Sequence, residues 1–188
     1  MKFPPRTVFA IAALAFLGAC SSLPNPFAEK IPPACPRIAI LQNAGAITHF
    51  TPDGGHDITD IRYSGDILRL NSLCENAFDK NGAGTMTVQV SPVLSLSRGP
   101  ANTEGTAALA YFVALSSKQH PLWMRRTFPL HITFPQNLTR VLWSDDVPIT
   151  LTIPVEKGQK PSDFTVYVGF VLSRDEYQHN LKIRAQGQ

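Results

Sequence analysis

The chain has 188 residues, 44% of them hydrophobic and 16% charged, which is one domain's worth of sequence with enough apolar content for a real core. Its 17 basic and 14 acidic residues give a net charge of +3, and no Lys/Arg cluster of the kind a nucleic-acid binder needs is visible. Nucleic acid is therefore excluded as a partner class.

The N-terminus opens on a short positive segment carrying Lys2 and Arg6, followed by an uncharged apolar run from Thr7 to Ala19. At about 1.5 Å per residue that run covers about 20 Å, short of the roughly 30 Å that a spanning helix must cross. The length suits the apolar region of a secretion signal. The run closes on Leu17-Gly18-Ala19-Cys20. That ending resembles the lipobox of bacterial lipoproteins, in which a dedicated peptidase cuts before the Cys. The resemblance implies that residues 1–19 are removed and that Cys20 becomes an acylated N-terminus. The plain alternative is an ordinary secretory signal with a Cys near its cleavage region. The four residues, their position and the positive segment all agree with the lipobox.

One acyl chain holds only marginally on a membrane, whereas two or three hold stably, at about 0.8 kcal/mol per buried CH₂. Ser21 follows the modified Cys. Under the enterobacterial sorting rule, Asp there would retain the protein at the inner membrane, so Ser points to the periplasmic leaflet of the outer membrane. Losing Lys2 and Arg6 takes the 17 basic residues to 15 and brings the mature charge close to neutral. Residues 20–34 hold Pro24, Pro26, Pro32 and Pro33 among small and polar residues. Such composition favours polyproline II, and at about 3.1 Å per residue it forms a tether reaching about 40 Å. A single β domain is expected over 35–188.

With Cys20 acylated, Cys35 and Cys74 are the two remaining thiols. In an oxidising periplasm they are expected to pair. Closing a loop of about 40 residues stabilises the fold by roughly 4 kcal/mol in the chain-entropy account. A redox pair normally has Cys-x-x-Cys spacing, and neither Cys has a His at zinc spacing, so the structural bridge is favoured.

From Cys35 onward the pattern is β. Arg37–Leu41 reads as a short strand, Gln42–Gly45 breaks it, and Ala46–Phe50 resumes it. Thr51–Gly55 is a turn by composition. Asp57–Leu73 reads as one long strand with a bulge near Gly65, since the apolar set moves from Ile61 and Tyr63 to Leu68 and Leu70. Asp79-Lys80-Asn81-Gly82 signals a hairpin. Thr85–Ser97 alternates cleanly, with Met86, Val88, Val90, Leu94 and Leu96 on one face and Pro92 marking an edge strand or a kink. Arg98–Gly105 is a loop, and Ala107–Leu115 is apolar on both faces, as a central strand would be.

Four further strands are expected over Leu122–Ile132, Leu138–Trp143, Ile149–Val155 and Phe164–Leu172, with turns at Ser116–Pro121 and Glu156–Pro161. Only Arg174–Arg184 looks helical, and its apolar content (Tyr177, Leu181, Ile183) is thin. Seven to nine strands without intervening helices predict a mainly β, antiparallel, immunoglobulin-like sandwich with a short C-terminal helix; a β-barrel is the competing architecture. Cys35-Pro36-Arg37-Ile38-Ala39, the later Cys74, Arg98-Gly99-Pro100 and Val168-Gly169-Phe170 before the acidic segment ending near Asn180 resemble a group of small alphaproteobacterial lipoproteins. That resemblance supplies no catalytic residues.

Chemical motifs are sparse. His49, Asp53, His56 and Asp57 offer nitrogen and oxygen ligands within nine residues, but a Gly-rich polar loop with Asx-turns explains them better, so no metal is expected. Asp79–Gly82 has a partial likeness to a calcium loop but lacks its ligand ladder and terminal Glu. Asp145-Asp146 is read as an exposed loop pair, because adjacent strand residues point to opposite faces. There is no Gly-x-Ser-x-Gly, Ser-x-x-Lys or His-Glu-x-x-His, so no catalytic residue and no cofactor is assigned. Trp123, Arg125, His131 and Trp143 form the candidate binding face, aromatic and cationic groups on the outward side of adjacent strands. The expected function is a lipid-anchored envelope module, held to the membrane through Cys20, that touches a protein partner. The alternatives are a glycan, peptide or small-ligand binder and, last, a hydrolase assembled from distant segments.

Overall fold

The computed structural model describes residues 35–52 and 54–187, all within one unit of the chain, Pro33–Gln188. The expected signal peptide over 1–19, the expected lipidation site Cys20, the expected tether over 20–34 and Asp53 lie outside the described residues. Among the described residues nine strands form two sheets that pack as a sandwich, followed by one helix. The strands are β1 (Arg37–Ile40), β2 (Ala46–Phe50), β3 (Ile61–Phe78), β4 (Gly84–Arg98), β5 (Thr106–Ser117), β6 (Met124–Thr133), β7 (Arg140–Ser144), β8 (Ile149–Val155) and β9 (Phe164–Phe170). The helix is α1 (Arg174–Gln186). No described helix is long and apolar enough to cross a membrane.

One sheet runs β1-β9-β5-β6 and the other β2-β3-β4-β7, with β8 also paired to β4. All neighbours are antiparallel except β1, which lies parallel to β9 with Ile38 opposite Val166. The layers are those of an immunoglobulin-like sandwich. The strand order is set by the long β3–β4 hairpin, whose second arm carries both β7 and β8. The hairpin turn is the expected one: Gly82 takes φ 81°, and one Asp79 carboxylate oxygen accepts from the Asn81 and Ala83 amides at 2.8 and 3.0 Å. That oxygen is already occupied within the turn.

β4 is a central strand, with β3 on one side and β7 and β8 on the other, so the edge-strand reading of Pro92 does not hold. Gly84–Val90 pair with β8 and Val93–Ser97 with β7, and Pro92 falls in the gap where neither partner reaches. A residue without an N–H is tolerated there because no ladder bond on that edge depends on it. The bulge in β3 lies three residues beyond Gly65. Ile67 faces Leu94 and Arg69 faces Val93, leaving Leu68 as the extra residue, 53% exposed. Tyr63 and Ile67 point inward before it and Leu70 and Cys74 after it. The inserted residue flips the phase of the strand.

The core lies between the sheets. Tyr111, Phe164, Phe170, Met86, Leu94 and Leu96 are among its fully buried members, each contributing about 1.5–3 kcal/mol for burial of its side chain. Cys35 and Cys74, separated by 39 residues, are bridged. The bond joins the entrance of β1 in one sheet to β3 in the other. Loop 98–105 is anchored by Asn102, whose side chain accepts from the Gly105 amide and donates to the Thr106 carbonyl.

Candidate functional site

The informative surface begins on the outer face of β5. Phe112 and Ala114 point away from the inter-sheet core yet are buried, together with Ala44 from the β1–β2 connection. Gly169, opposite Phe112 on β9, makes this possible. A Cβ there would come within 2.9 Å of both the Ala44 Cβ and the Phe112 ring. The guanidinium of Arg125, on neighbouring β6, lies 4.2 Å from the centre of the Phe112 ring. Past β9 the chain turns through Val171 and Leu172 into α1, whose first turns bring Arg174, Tyr177 and Gln178 alongside. These groups bound an open trough of about 460 Å³, lined by Leu41, Ala44, Phe112, Arg125, Phe170, Leu172, Ser173, Arg174, Tyr177 and Gln178.

Of the four residues expected on a binding face, only Arg125 enters this trough. His131 shares the outward face of β6 with Arg125 but lies six residues along it, about 20 Å away at the rise of a strand. Trp123 precedes β6 and stacks 5.9 Å from the buried Phe164, closing the end of the sandwich. Trp143 faces inward. Its β4 partner is the buried Leu94, and partners directly opposite share a face, so its ring lies 6.0 Å from Tyr111 within the core. The four residues do not form one surface. The residues the pattern missed are Phe112, Leu172, Arg174 and Tyr177. Their signal was present in the doubly apolar β5: being central explains one apolar face, and the outer one needed a cover.

α1 is fixed by polar contacts. Ser173 and Glu176 form a reciprocal cap at its start, with the Ser173 amide donating to Glu176 Oε2 at 2.7 Å. The other Glu176 oxygen meets His49 Nδ1 at 2.9 Å, and the His49 ring stacks on Tyr63 with centroids 4.7 Å apart. Asn180 donates to the Asn43 and Ala46 carbonyls at 3.1 and 2.8 Å. Phe50 packs between His56 and His179, at 4.8 and 5.1 Å. Burial, then the charges of His56 and Lys182, hold the His179 imidazole below its ordinary value. A second open recess of about 500 Å³ runs along this side of α1, past His56, Asp175, His179 and Lys182.

Three of the four residues weighed as ligands are described, and each has a local contact. His49 holds Glu176, His56 meets Phe50, and the Asp57 amide is capped by Asp60. Among the described residues no three His, Cys, Asp or Glu side chains converge on a point. Asp145 is not the exposed loop carboxylate expected of it. It accepts the Tyr111 hydroxyl, while Asp146 is exposed. Burial and then that hydrogen bond push the Tyr111 phenol far above its usual range.

No family model matches the chain, and no curated protein is found similar to it. Among solved structures, the variable (V) domain of the AgI/II polypeptide BspA of Streptococcus agalactiae aligns with a TM-score of 0.20 and 11% identity, over 69% of this chain and 73% of that one. A likeness that slight carries no argument about fold or activity.

Proposed function

We propose that this chain is a lipid-anchored lipoprotein of the cell envelope whose β domain works as a protein-interaction module. In this reading Cys20 is acylated, the Pro-rich segment 20–34 is the tether, and the periplasmic leaflet of the outer membrane is the seat of the anchor. The observation that carries the interaction role is the trough between β5, β6 and the start of α1. It is apolar on its floor, cationic at Arg125 and Arg174, and open along its length. A shallow, open, mixed surface suits a protein segment better than a small molecule, which normally has most of its surface enclosed.

Two measurements test this. The mass of the N-terminal peptide from host-expressed protein should equal a chain beginning at Cys20 plus its acyl groups; an unlipidated N-terminus would remove the anchor. A photo-crosslinking residue at position 177 should capture an envelope protein in intact cells, whereas the same probe at Thr150 on β8 should not. Equal capture at both positions would refute a defined surface. Retention of a defined glycan by the purified chain, with no capture at 177, would favour the ligand-binding alternative.

A further inference from the structure

The trough has a charge pattern that specifies more than contact. Arg125 and Arg174 both line it, and no Asp or Glu does. The ion pairs among the described residues lie elsewhere, at His49–Glu176, Arg62–Glu104 and Lys118–Asp163. Neither guanidinium has a carboxylate partner among the described residues. Arg125 is also held in place, since its guanidinium carbon sits over the Phe112 ring, 4.2 Å from the ring centre. A guanidinium so placed presents a fork of donors that matches a carboxylate two bonds at a time.

We infer that the trough receives an extended acidic segment of a partner protein, in which Asp or Glu lies within two or three residues of a bulky apolar side chain. The carboxylates pair with Arg125 and Arg174, and the apolar side chain rests between Phe112, Leu172 and Tyr177. This inference rests on the interaction-module reading and names the partner's chemistry. An anionic bilayer fits less well. A flat membrane surface engages apolar groups that protrude, whereas Phe112 is recessed, only 7% exposed beneath Arg125. A chain in extended form can enter a trough and leave at both ends. The floor is also a built one, because Gly169 brings Phe112 and Ala44 down onto the sheet.

The experiment is a selection from a displayed library of random twelve-residue peptides against the full chain in detergent. Enriched peptides should carry Asp or Glu close to an aromatic or branched residue. A synthetic peptide of that consensus should lose about tenfold or more in affinity for the double variant R125E/R174E, as expected for charge-assisted hydrogen bonds. Lys157→Glu, on a distant exposed turn, should leave affinity unchanged, and replacing the peptide's acids by Lys should restore binding to the double variant. Enrichment of apolar peptides without acids, still sensitive to Tyr177→Ala, would overturn the acidic preference and leave the interaction module standing. Peptides insensitive to Tyr177→Ala and to the double variant, or no enrichment at all, would overturn both. Binding to phosphatidylglycerol vesicles that R125E/R174E abolishes, with no peptide selected, would replace the peptide by a bilayer.

Discussion

The inter-sheet core and the seam beneath α1 hold their partners by opposite means. Between the sheets, Met86, Val88, Leu94, Leu96, Ile153 and Phe164 are essentially inaccessible, and attraction is non-directional and spread over many neighbours. Beneath α1 the helix is polar on most sides, and it is secured by Glu176, Asn180 and Arg184 reaching His49, the Asn43 and Ala46 carbonyls and the Asn43 side chain. In a core of this kind any change is felt by many close-packed neighbours at once. In a seam of a few directed bonds the damage stays local, where each unmade bond leaves a group that has already given up water. Variants in the core should therefore change global stability, and variants in the seam should loosen α1 alone.

The sharpest break of that contrast is Val88→Asp. Val88 is fully buried opposite Leu151, and a carboxylate there has no partner. The cost, about 5 kcal/mol or more, is of the order of a whole domain's stability. The variant should lack a cooperative thermal transition, and retention of one within a few degrees of the parent would contradict the core assignment. Next in size is the Cys35–Cys74 bond. Reducing it, or replacing both residues by Ser, should cost about 4 kcal/mol and lower the melting temperature by roughly 10 °C, because the closed loop spans 39 residues. An unchanged melting temperature under reductant would show that the bridge adds nothing to the fold.

Tyr63 stands where the two regions meet. Its hydroxyl donates to the Ala108 carbonyl at 2.7 Å, and its ring carries His49. Burial first, then the Glu176 charge, push its phenol up to about 12. The unfolded phenol ionises near its ordinary value of 10 while the folded one keeps its proton. This contribution to stability is therefore complete below pH 10 and is lost as pH rises toward 12. Tyr63→Phe should cost about 1 kcal/mol at neutral pH and make the alkaline loss shallower, though not flat, because Tyr111 is shifted in the same direction. Urea midpoints measured from pH 8 to 11.5 provide the check, and identical slopes in parent and variant would remove Tyr63 from the account.

Within the seam, His49→Ala deprives a carboxylate only 8% exposed of its imidazole. The Ser173 amide still holds the other oxygen, so the loss should be about 1 kcal/mol and local. Amide exchange over residues 174–186 should quicken severalfold while β4 and β5 keep their protection. If β4 exchanged faster as well, seam and core would be one cooperative unit, and the contrast would fail.

The same contrast explains what was legible in advance. Strands that face the core on one side announce themselves by a period of two, so β4, β6, β8 and β9 could be located to within a few residues. Pairing between short distant strands leaves no such mark: nothing in Arg37–Ile40 specifies a parallel partner at Thr165–Val168. Trp143 was misplaced because a five-residue strand alternates equally well in either phase, and only its register against Leu94 decides which face is inward. Asp145 lies just past that strand, and its partner Tyr111, 34 residues away in the chain, leaves no local mark on the sequence around it. Trough and seam were the least legible parts. They are built from residues such as Phe112, Leu172 and Glu176, whose roles depend on where α1 comes to rest.

The smallest effect expected is also the most diagnostic of that resting place. His179 packs on Phe50 with His56 and Lys182 nearby, and its imidazole is held below the ordinary value, chiefly by burial. With the helix detached, His179 would take up a proton near pH 6.5, whereas docked it resists until the pH is lower. The docked state thus binds fewer protons, its advantage is complete above pH 6.5, and it weakens as pH falls from there. The groups facing it are His56 and Lys182, both of which disfavour the extra charge, while Asp175 lies one turn earlier on the same helix. His179→Gln keeps a polar side chain and removes the titration. After correction for the intrinsic pH dependence of exchange, protection of α1 should fall between pH 7.5 and 5.5 in the parent and fall less in the variant. The subtraction also cancels the His49–Glu176 contact, which is present in both. An NMR titration of the His179 ring with a midpoint at or above the ordinary imidazole value would mean that its face is wet, and α1 would then rest on β2 through His49 and Asn180 without the Phe50 cluster.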